Sequence, residues 1–375
     1  MKKENQLLWI TPTKFGIDLC QSTQIGAANA LADRGWKVHF ISMMGNKEKA
    51  PSSLERFDLT EIPIQSKIFG EGIQFNRILS KELPNIISKS MPDIALVEWR
   101  GTLGFIKANK KIRIPWILED RSPPTHDSIK GRLQWLHYNR SWKKGIKRCD
   151  GWSVITESLS NFVKQRFKIE SSPNAIWPSG VDVERFLTST RGTQRIVYHG
   201  RLDKERDIIS IIEAVECLIS SYPKIEVIIF GQGNDFSRLH SLSKKHSWFT
   251  LLGPQSSDNV PSLLQSSSIG VIPLPNRIEW ALSSPLKLFE YVASGLDVVA
   301  TNIPAHQNFS QFPWMHTYDS EDRIQGLVEA LKQIIDSEST SSPELTKRDA
   351  QELFTWESAT LPLHNALLEV IKSSY

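Results

Sequence analysis

The chain has 375 residues, of which 40% are hydrophobic and 23% charged. Because single cores stop growing at about 250–300 residues, this length predicts two globular domains, and the composition excludes a disordered chain. Lys and Arg total 45 against 41 Asp and Glu, a balance too even to indicate nucleic-acid binding by charge alone. Cys20, Cys149 and Cys217 have neither metal-ligand spacing nor the even number of a disulfide framework. Their separation indicates a reducing, intracellular location.

Signals for export or membrane insertion are absent from the sequence. The apolar run in the N-terminal MKKENQLLWITP covers only residues 7–10, which is too short for a signal peptide. No stretch approaches the roughly 18 apolar residues of a spanning helix. We therefore expect a cytoplasmic protein that is neither secreted nor inserted into the membrane.

Short apolar runs alternate with amphipathic segments, a pattern that predicts parallel sheets joined by crossover helices. In the first half, the predicted strands are 7–10, 38–42, 94–98, 116–119 and 152–155, with a helix over 22–34. In the second half, the predicted strands are 195–198, 226–230, 250–252, 270–273 and 298–300. The predicted fold class is α/β, with two doubly wound units in tandem and a ligand site at the carboxyl ends of their strands.

Composition also predicts the domain boundaries. Residues 178–194, PSGVDVERFLTSTRGTQ, are rich in small and polar side chains and are predicted to be a linker. The linker separates an N-terminal domain, 1–177, from a C-terminal domain, 195–355. Residues 356–375 have helical periodicity and are predicted to form a helix that returns to the N-terminal domain.

The segment SSPLKLFEYVASG, residues 283–295, has the composition of a short helix entered from a loop. Ser284 is a suitable N-cap and Pro285 a suitable first helical residue, and Gly295 is a suitable stop. This predicts a helix over 285–294. The free N–H groups and the positive dipole end of such a helix form an anion site.

Two charged residues in this helix predict a nucleotide ligand. Lys287 adds a positive charge in the first turn, and Glu290 lies three residues later on the same face. A carboxylate beside a phosphate site is suited to accept hydrogen bonds from paired ribose hydroxyls. The arrangement indicates a nucleoside diphosphate; the alternative is an ordinary helix with a surface Lys and Glu.

Two further segments end predicted strands with glycine. In VYHGRLDKERD, Gly200 ends the strand, and Arg201 and Arg206 are placed to grip a diphosphate in bidentate fashion. In IIFGQG, Gly231 and Gly233 allow a ligand to approach the backbone. Taken alone, the first segment is more typical of a solvated charged loop, and the second is common in any strand-to-helix turn.

The order and spacing of these segments resemble the C-terminal half of a GT-B glycosyltransferase, and most closely glycosyltransferase family 4. The similar segments are VYHGRLDKERDIISIIEAV, IEVIIFGQG, FTLLGPQSSDNVPSLLQSSSIGVIPL and SSPLKLFEYVASGLDVVATNIPA. Upstream, TPTKFGIDLCQSTQIGAANALADRGWKVHFIS, CDGWSVITESLSNFV and IWPSGVDVERF also resemble that family. The resemblance covers about 300 residues. It implies two Rossmann-like domains facing a central cleft, with the nucleotide-sugar on the C-terminal domain and the acceptor on the N-terminal domain.

The resemblance assigns roles to particular residues. Arg201 stands at the position of the family's diphosphate-binding arginine, Arg206 at a position usually held by lysine, and Glu290 at that of the ribose-binding glutamate. Leu282 replaces the glutamate that normally helps to hold the donor sugar, which leaves the identity of the sugar open. The implied donor-binding set is Gly16, Gly200, Arg201, Arg206, Gly231, Gly233, Pro254, Val260, Ser283, Ser284, Pro285, Leu286, Lys287 and Glu290.

The chemistry of sugar transfer requires stabilisation of negative charge on the leaving phosphate. The sequence has no Asp-x-Asp pair suited to a metal, so we expect no cofactor or metal, with Arg201, Arg206 and Lys287 as the catalytic cations. The resemblance implies retention of anomeric configuration.

Charged residues at predicted strand ends of the N-terminal domain are candidates for the acceptor site. Glu119 or Asp120 is placed to deprotonate or orient the acceptor hydroxyl, although a structural ion pair with Arg121 is an equal alternative. Glu98, Arg121 and His126 are the predicted acceptor-binding residues.

Residues 128–149 contain seven Lys or Arg and no Asp or Glu. On a helix, Trp135, Tyr138 and Trp142 fall on one stripe and the cations on the opposite side, with Leu133 and Leu136 among the cations. One interpretation is peripheral docking on an anionic membrane. The alternative is that the stripe packs into its own domain.

The predicted function is transfer of a sugar from a nucleotide-diphosphate donor to a glycan or lipid-linked acceptor, in synthesis of a cell-surface polysaccharide or glycoconjugate. Two alternatives are a non-catalytic nucleotide-sugar-binding relative and a GT-B nucleotide-sugar epimerase. A Rossmann dehydrogenase is disfavoured because TPTKFGID, not G-x-G-x-x-G, follows the first strand.

Overall fold

The computed structural model describes residues 4–18, 20–65, 70–124, 129–189, 194–336 and 342–374. The chain divides into two compact units. The first unit comprises the chain up to Gly180 together with the segment from Trp356, and the second comprises Val181–Thr355. The segment from Val181, predicted to be a linker, therefore lies within the second unit, where Val181 forms a parallel β-bridge with Thr355.

The first unit is built on a seven-stranded parallel sheet. Its strands are β1 (Asn5–Lys14), β2 (Trp36–Met43), β3 (Asp58–Ile62), β4 (Ile94–Glu98), β5 (Trp116–Asp120), β6 (Gly151–Val154) and β7 (Ala175–Ile176). Its first five helices are α1 (Gln21–Asp33), α2 (Glu71–Ser90), α3 (Thr102–Ile112), α4 (Ile129–Gly145) and α5 (Glu157–Phe167). The strand order is β3-β2-β1-β4-β5-β6-β7. Trp9, Phe40 and Trp177 form an aromatic centre in its core.

The second unit is built on a six-stranded parallel sheet in the order β10-β9-β8-β11-β12-β13. Its strands are β8 (Gln194–Arg201), β9 (Ile225–Gln232), β10 (Phe249–Leu252), β11 (Ile269–Ile272), β12 (Asp297–Thr301) and β13 (Met315–Tyr318). Its helices are α6 (Ile209–Leu218), α7 (Phe236–Ser243), α8 (Val260–Gln265), α9 (Ile278–Ala281), α10 (Leu286–Ala293), α11 (Pro304–Gln307), α12 (Gln325–Asp336) and α13 (Pro343–Leu353). The α/β class predicted from the sequence is confirmed.

Each sheet reverses its strand order beside its first strand. β1 lies between β2 and β4, and β8 lies between β9 and β11. Doubly wound sheets bind ligands outside the carboxyl ends of the strands at such reversal points. The ends of β1 and β4 in one unit, and of β8 and β11 in the other, are therefore the places to look for sites.

The last helix, α14 (Trp356–Ser374), packs against α1 in the first unit. A Cβ on Gly26 of α1 would lie only 2.3 Å from the Trp356 ring, so the glycine is what lets the indole lie on the helix. Trp36 Nε1 lies 2.9 Å from His364 Nδ1, and Arg34 Nη2 donates to the Glu357 carbonyl at 2.6 Å. No helix in the described ranges combines the length and apolar character needed to cross a bilayer.

Several elements differ from the prediction. β1 continues to Lys14 through a register irregularity instead of ending at residue 10. The sequence analysis did not predict β3, β7 or β13, which have two to five residues, and β3 is only partly buried. Short runs of this kind have too few alternating positions to distinguish a strand from a loop.

Candidate functional site

Glycines allow the backbones of β8 and β9 to approach closely at their carboxyl ends. Gly200 has φ +111° and Gly231 has φ +141°. A Cβ on Gly231 would lie 1.8 Å from the Gly200 carbonyl oxygen, and one on Gly233 would lie 2.2 Å from the Leu202 carbonyl oxygen. Side chains at these positions would therefore force the ends of β8 and β9 apart.

Lys287 lies in the first turn of α10 and reaches back to this backbone. A Cβ on Gly200 would be 3.4 Å from the Lys287 ammonium, which also lies 5.3 Å from the centre of the Tyr198 ring. Burial and, to a smaller extent, the nearby positive charge of Arg206 lower the pKa of Lys287 to about 7, while the charge of Glu290 opposes the shift. Because this ammonium is poorly solvated, a bound anion would strongly stabilise its charged form.

The two predicted diphosphate-binding arginines have different surroundings. Arg206 lies 4.3 Å from the Trp280 ring, and its buried Nε has no hydrogen-bond partner among the described residues. Arg201 forms a bidentate pair with Asp203, with both N–O distances 2.9 Å, and is largely exposed. Arg206 therefore has donor capacity to spare, whereas a ligand of Arg201 has to compete with Asp203.

Glu290 lies one turn beyond Lys287 on α10. Its Oε2 is 3.2 Å from Nε2 of His199, the residue that precedes Gly200 on β8. The His199 ring stacks on Phe230 with a centroid distance of 5.3 Å and meets the edge of Tyr291. Backbone, ammonium, guanidinium and carboxylate thus lie together at one edge of the second sheet.

The entry to α10 differs in detail from the prediction. The helix begins at Leu286, and Pro285, not Ser284, is at the N-cap position. The sequence analysis placed Ser284 at the N-cap and Pro285 at the first helical position, and both assignments are one residue too early. Ser283 donates to the Trp280 carbonyl at 2.8 Å, which closes the preceding turn.

Two further predicted donor residues lie between β10 and the start of the helix that follows it. Pro254 follows β10, and Val260 is the first residue of α8. Leu282, at the position where the family has a glutamate, is buried.

Carboxylates at the ends of β4 and β5 form a second polar cluster, in the first unit. Glu98 accepts a hydrogen bond from Thr11 at 2.9 Å and pairs with Arg100. Glu119 accepts from Trp9 Nε1 at 2.9 Å, and its Oε1, 3.8 Å from Arg121, has no hydrogen bond among the described residues. Burial raises the pKa of Glu119 to about 8 against the opposing charge of Arg121.

Asp120 is buried and held by the first unit itself. Tyr138 and Trp142 both donate to its Oδ2 at 2.7 Å, and the Ser122 amide donates to Oδ1 at 3.0 Å. Burial nevertheless raises the pKa of Asp120 to about 7. Its catalytic role stays a prediction, and this geometry favours a structural one.

The sequence analysis also assigned binding roles to Arg121, Gly16 and His126. Arg121 stacks 4.0 Å from the Trp177 ring. Gly16 has φ +78°, and its N–H donates to Gln21 Oε1 at 2.6 Å, so that amide already has an acceptor. His126 lies outside the described residues. Across the described ranges, no group of three or more His, Cys, Asp or Glu is arranged to hold a metal ion.

Solved structures with this fold cover nearly the whole chain. Sucrose-phosphate synthase from Thermosynechococcus elongatus is 14% identical, with a TM-score of 0.77 over 98% of this chain and 100% of its own. Anabaena HepE in complex with UDP-glucose is also 14% identical, with a TM-score of 0.69 over 98% of this chain and 99% of its own. At such identities the likeness shows the GT-B fold.

Family comparisons address the activity. The model described as Glycosyltransferase Family 4 matches residues 25–185, and the model described as Glycosyl transferases group 1 matches residues 193–337. The chain is a GT-B glycosyltransferase that resembles family 4. An uncharacterized glycosyltransferase of Haemophilus influenzae is 22% identical over 302 residues, which are 75% of this chain and 76% of that protein.

Sequence reasoning missed two ionisable residues of this glycosyltransferase. His199 is a polar residue at the end of the apolar run 196–198 of β8, directly before Gly200, and its place there was the available signal. Glu279 is buried in α9 with its Oε1 3.1 Å from Arg277 Nε. The available sequence signal was the pair of opposite charges at Arg277 and Glu279, shortly before Leu282.

Proposed function

We propose that this glycosyltransferase uses a nucleoside-diphosphate sugar, retains the anomeric configuration and needs no metal. The acceptor in this proposal is a glycan or a lipid-linked glycan of a cell-surface polysaccharide or glycoconjugate. The observation that carries the proposal is the Lys287 ammonium against the Gly200 backbone, with Arg206 and Glu290 beside it. The complex of the similar HepE with UDP-glucose supports this donor class.

In the proposed mechanism, cations of the second unit stabilise the departing diphosphate. Negative charge builds on the leaving phosphate as the glycosidic bond breaks, and groups fixed in advance stabilise it without reorganising. Lys287 and Arg206 supply positive charge, and the free N–H groups at the start of α10 add their dipoles. Glu290 holds the ribose and thereby fixes the position of the phosphates.

We place the acceptor at the carboxyl edge of the first sheet. Glu98 is the last residue of β4 and is paired with Glu119 on the adjacent strand β5, and Arg121 lies 3.8 Å from Glu119. With a pKa of about 8, Glu119 carries a proton at neutral pH. In this form it is suited to orient an acceptor hydroxyl by donating a hydrogen bond to its oxygen. General-base action requires the ionised form of Glu119, which predominates only above about pH 8.

Nucleotide binding gives the first test. At saturating concentration, we expect one of UDP, GDP or ADP, or its sugar conjugate, to raise the melting temperature by several degrees in EDTA, because a ligand at 100 Kd stabilises by about 2.7 kcal/mol. Glu290→Ala should lose most of this shift, since it removes the ribose acceptor. Glu329→Ala, at an exposed glutamate of α12, is the matched control and should keep it. Absence of a shift with every nucleotide and nucleotide-sugar would contradict the proposed donor class.

We further propose that α4 docks on anionic phospholipid. Its Tyr138 and Trp142 are buried in the first unit, which agrees with the alternative that the aromatic stripe packs inward. Leu133 and Leu136, however, are 50% and 53% exposed. The exposed cations around them are Arg132, Arg140, Lys143, Lys144, Lys147 and Arg148. Exposed leucines among cations fit an interface of apolar chains beneath anionic headgroups.

Vesicle binding tests this docking surface. We expect the protein to sediment with vesicles containing phosphatidylglycerol and to remain free of pure phosphatidylcholine vesicles. Leu133→Ser combined with Leu136→Ser should weaken binding by about tenfold or more. Full burial of one leucine side chain contributes about 1.5–3 kcal/mol of free energy, and the double variant loses this contribution at both positions. Leu345→Ser, at a leucine of α13 that is 49% exposed, is the matched control. Equal sedimentation of the double variant and the wild type would contradict docking through α4.

A further inference from the structure

His199 brings a buried, unpaired ring nitrogen to the Glu290 carboxylate. The residue is 8% exposed, and its ring is fixed by Phe230 on one face and Tyr291 at the edge. Nε2 lies 3.2 Å from Glu290 Oε2 but makes no aligned hydrogen bond with any described atom. A buried polar atom in this condition normally has a partner, which points to a ligand group as the missing one.

The protonation of this nitrogen follows from its neighbour. If Nε2 were unprotonated, its lone pair would face the lone pairs of a carboxylate at 3.2 Å, an unfavourable contact. A proton on Nε2 removes the repulsion and gives the ring an N–H donor beside an acceptor. Because the N–H does not point straight at Oε2, it remains able to donate to a third atom.

A donor and an acceptor side by side match a vicinal diol. Each hydroxyl of a diol both donates and accepts, so one can donate to Glu290 while the oxygen of the other accepts from His199. Sites that hydrogen-bond a hydroxyl discriminate strongly against analogues that lack it, because the site's own polar groups are then left unpaired. A carboxylate alone supplies only the accepting half of this recognition.

We infer that His199 is a second ribose-binding residue, which donates from Nε2 to one hydroxyl of the 2′,3′-diol while Glu290 accepts from the other. The inference rests on the proposed nucleotide donor and adds to it a determinant of selectivity for ribose over deoxyribose. It also explains the polar residue in the core-forming strand β8, where an apolar side chain would pack on Phe230 equally well.

The test measures dissociation constants for the preferred nucleoside diphosphate and for its 2′-deoxy and 3′-deoxy analogues. Wild type should bind the ribonucleotide at least about tenfold more tightly than one of the analogues, as expected for loss of a buried hydrogen bond. His199→Phe keeps the aromatic volume on Phe230 and removes the donor, so the preference over the analogue that lacks the hydroxyl bound by His199 should fall to near unity. The preference over the other analogue, which depends on Glu290, should remain. His199→Gln, whose amide nitrogen reaches the position of Nε2, should retain most of the preference.

The outcomes separate the inference from the proposed function. If wild type binds no nucleoside diphosphate, the proposed function fails. If wild type prefers the ribonucleotide and His199→Phe keeps the same preference over both analogues, His199 has no part in ribose binding and the inference is overturned. If His199→Phe does not fold, His199→Asn replaces it, because the shorter amide does not reach the Nε2 position and should lose the preference that Gln keeps. Equal preference in Asn and Gln variants would also overturn the inference.

Discussion

Replacing Lys287 with methionine is expected to lower the turnover number by about 10²–10³-fold, the usual effect of removing one preorganised charge stabiliser. Methionine preserves the length and apolar packing of the side chain but removes the ammonium from the Gly200 backbone. The change should therefore act on the charge that develops on the leaving diphosphate. The measurement is steady-state turnover of the nucleotide sugar that gives the largest stabilisation.

The pH profile shows whether the charge of Lys287 causes this effect. Its pKa of about 7 means that the side chain is a cation below pH 7 and largely neutral above it. Since the charged form binds the diphosphate, kcat/KM should fall as the pH rises through about 7, and Lys287→Arg should remove that fall because arginine stays charged. Lys244→Met, an exposed lysine of the same unit, is the control and should leave turnover unchanged. Full turnover in Lys287→Met would contradict the mechanism.

Replacing Gly231 with alanine is expected to destabilise the second unit by about 3 kcal/mol or more and to abolish nucleotide binding. The added Cβ would lie 1.8 Å from the Gly200 carbonyl oxygen, and φ +141° is unfavourable for any residue with a side chain. The only relief is to separate β8 from β9, which moves Gly200 away from Lys287. Urea unfolding measures the stability, and thermal shift with nucleotide measures the binding.

A second glycine provides the control for this change. A Cβ on Gly253 would meet no described atom within 4 Å, and its φ is not in the left-handed region. Gly253→Ala should therefore change the free energy of unfolding by no more than about 0.5 kcal/mol. If Gly231→Ala were as stable as Gly253→Ala, the close packing at the end of β8 would not be needed for the site.

The second unit shows which structural features can be predicted from local sequence. Glycine directly after an apolar run, and a lysine at the start of a short helix, are local signals because backbone conformation and helix capping depend on a few neighbouring residues. They predicted strand ends within three residues of the observed ends at Arg201 and Gln232, and a helix that begins within one residue of its observed start at Leu286. The predicted N-cap, Ser284, is one residue before the observed one, Pro285.

Local sequence signals could not predict the hydrogen-bond partners of the charged residues. Glu98 and Thr11 are 87 positions apart and Glu119 and Trp9 are 110 apart, yet each pair is hydrogen-bonded. Asp120 was indistinguishable from its neighbour in the sequence, and only the packing of α4 places Tyr138 and Trp142 on its carboxylate.

The amino-acid sequence by itself determined the α/β class, the glycosyltransferase motifs and the positions of most strands, because each depends on periodicity or on residues a few positions apart. Tertiary structure alone decided which carboxylates accept hydrogen bonds from side chains of the same unit. It also decided that Arg201 pairs with Asp203 and that His199 lies beside Glu290. These contacts arise where separate strands and helices converge, and their distances depend on the packing of the whole unit, which no local pattern encodes.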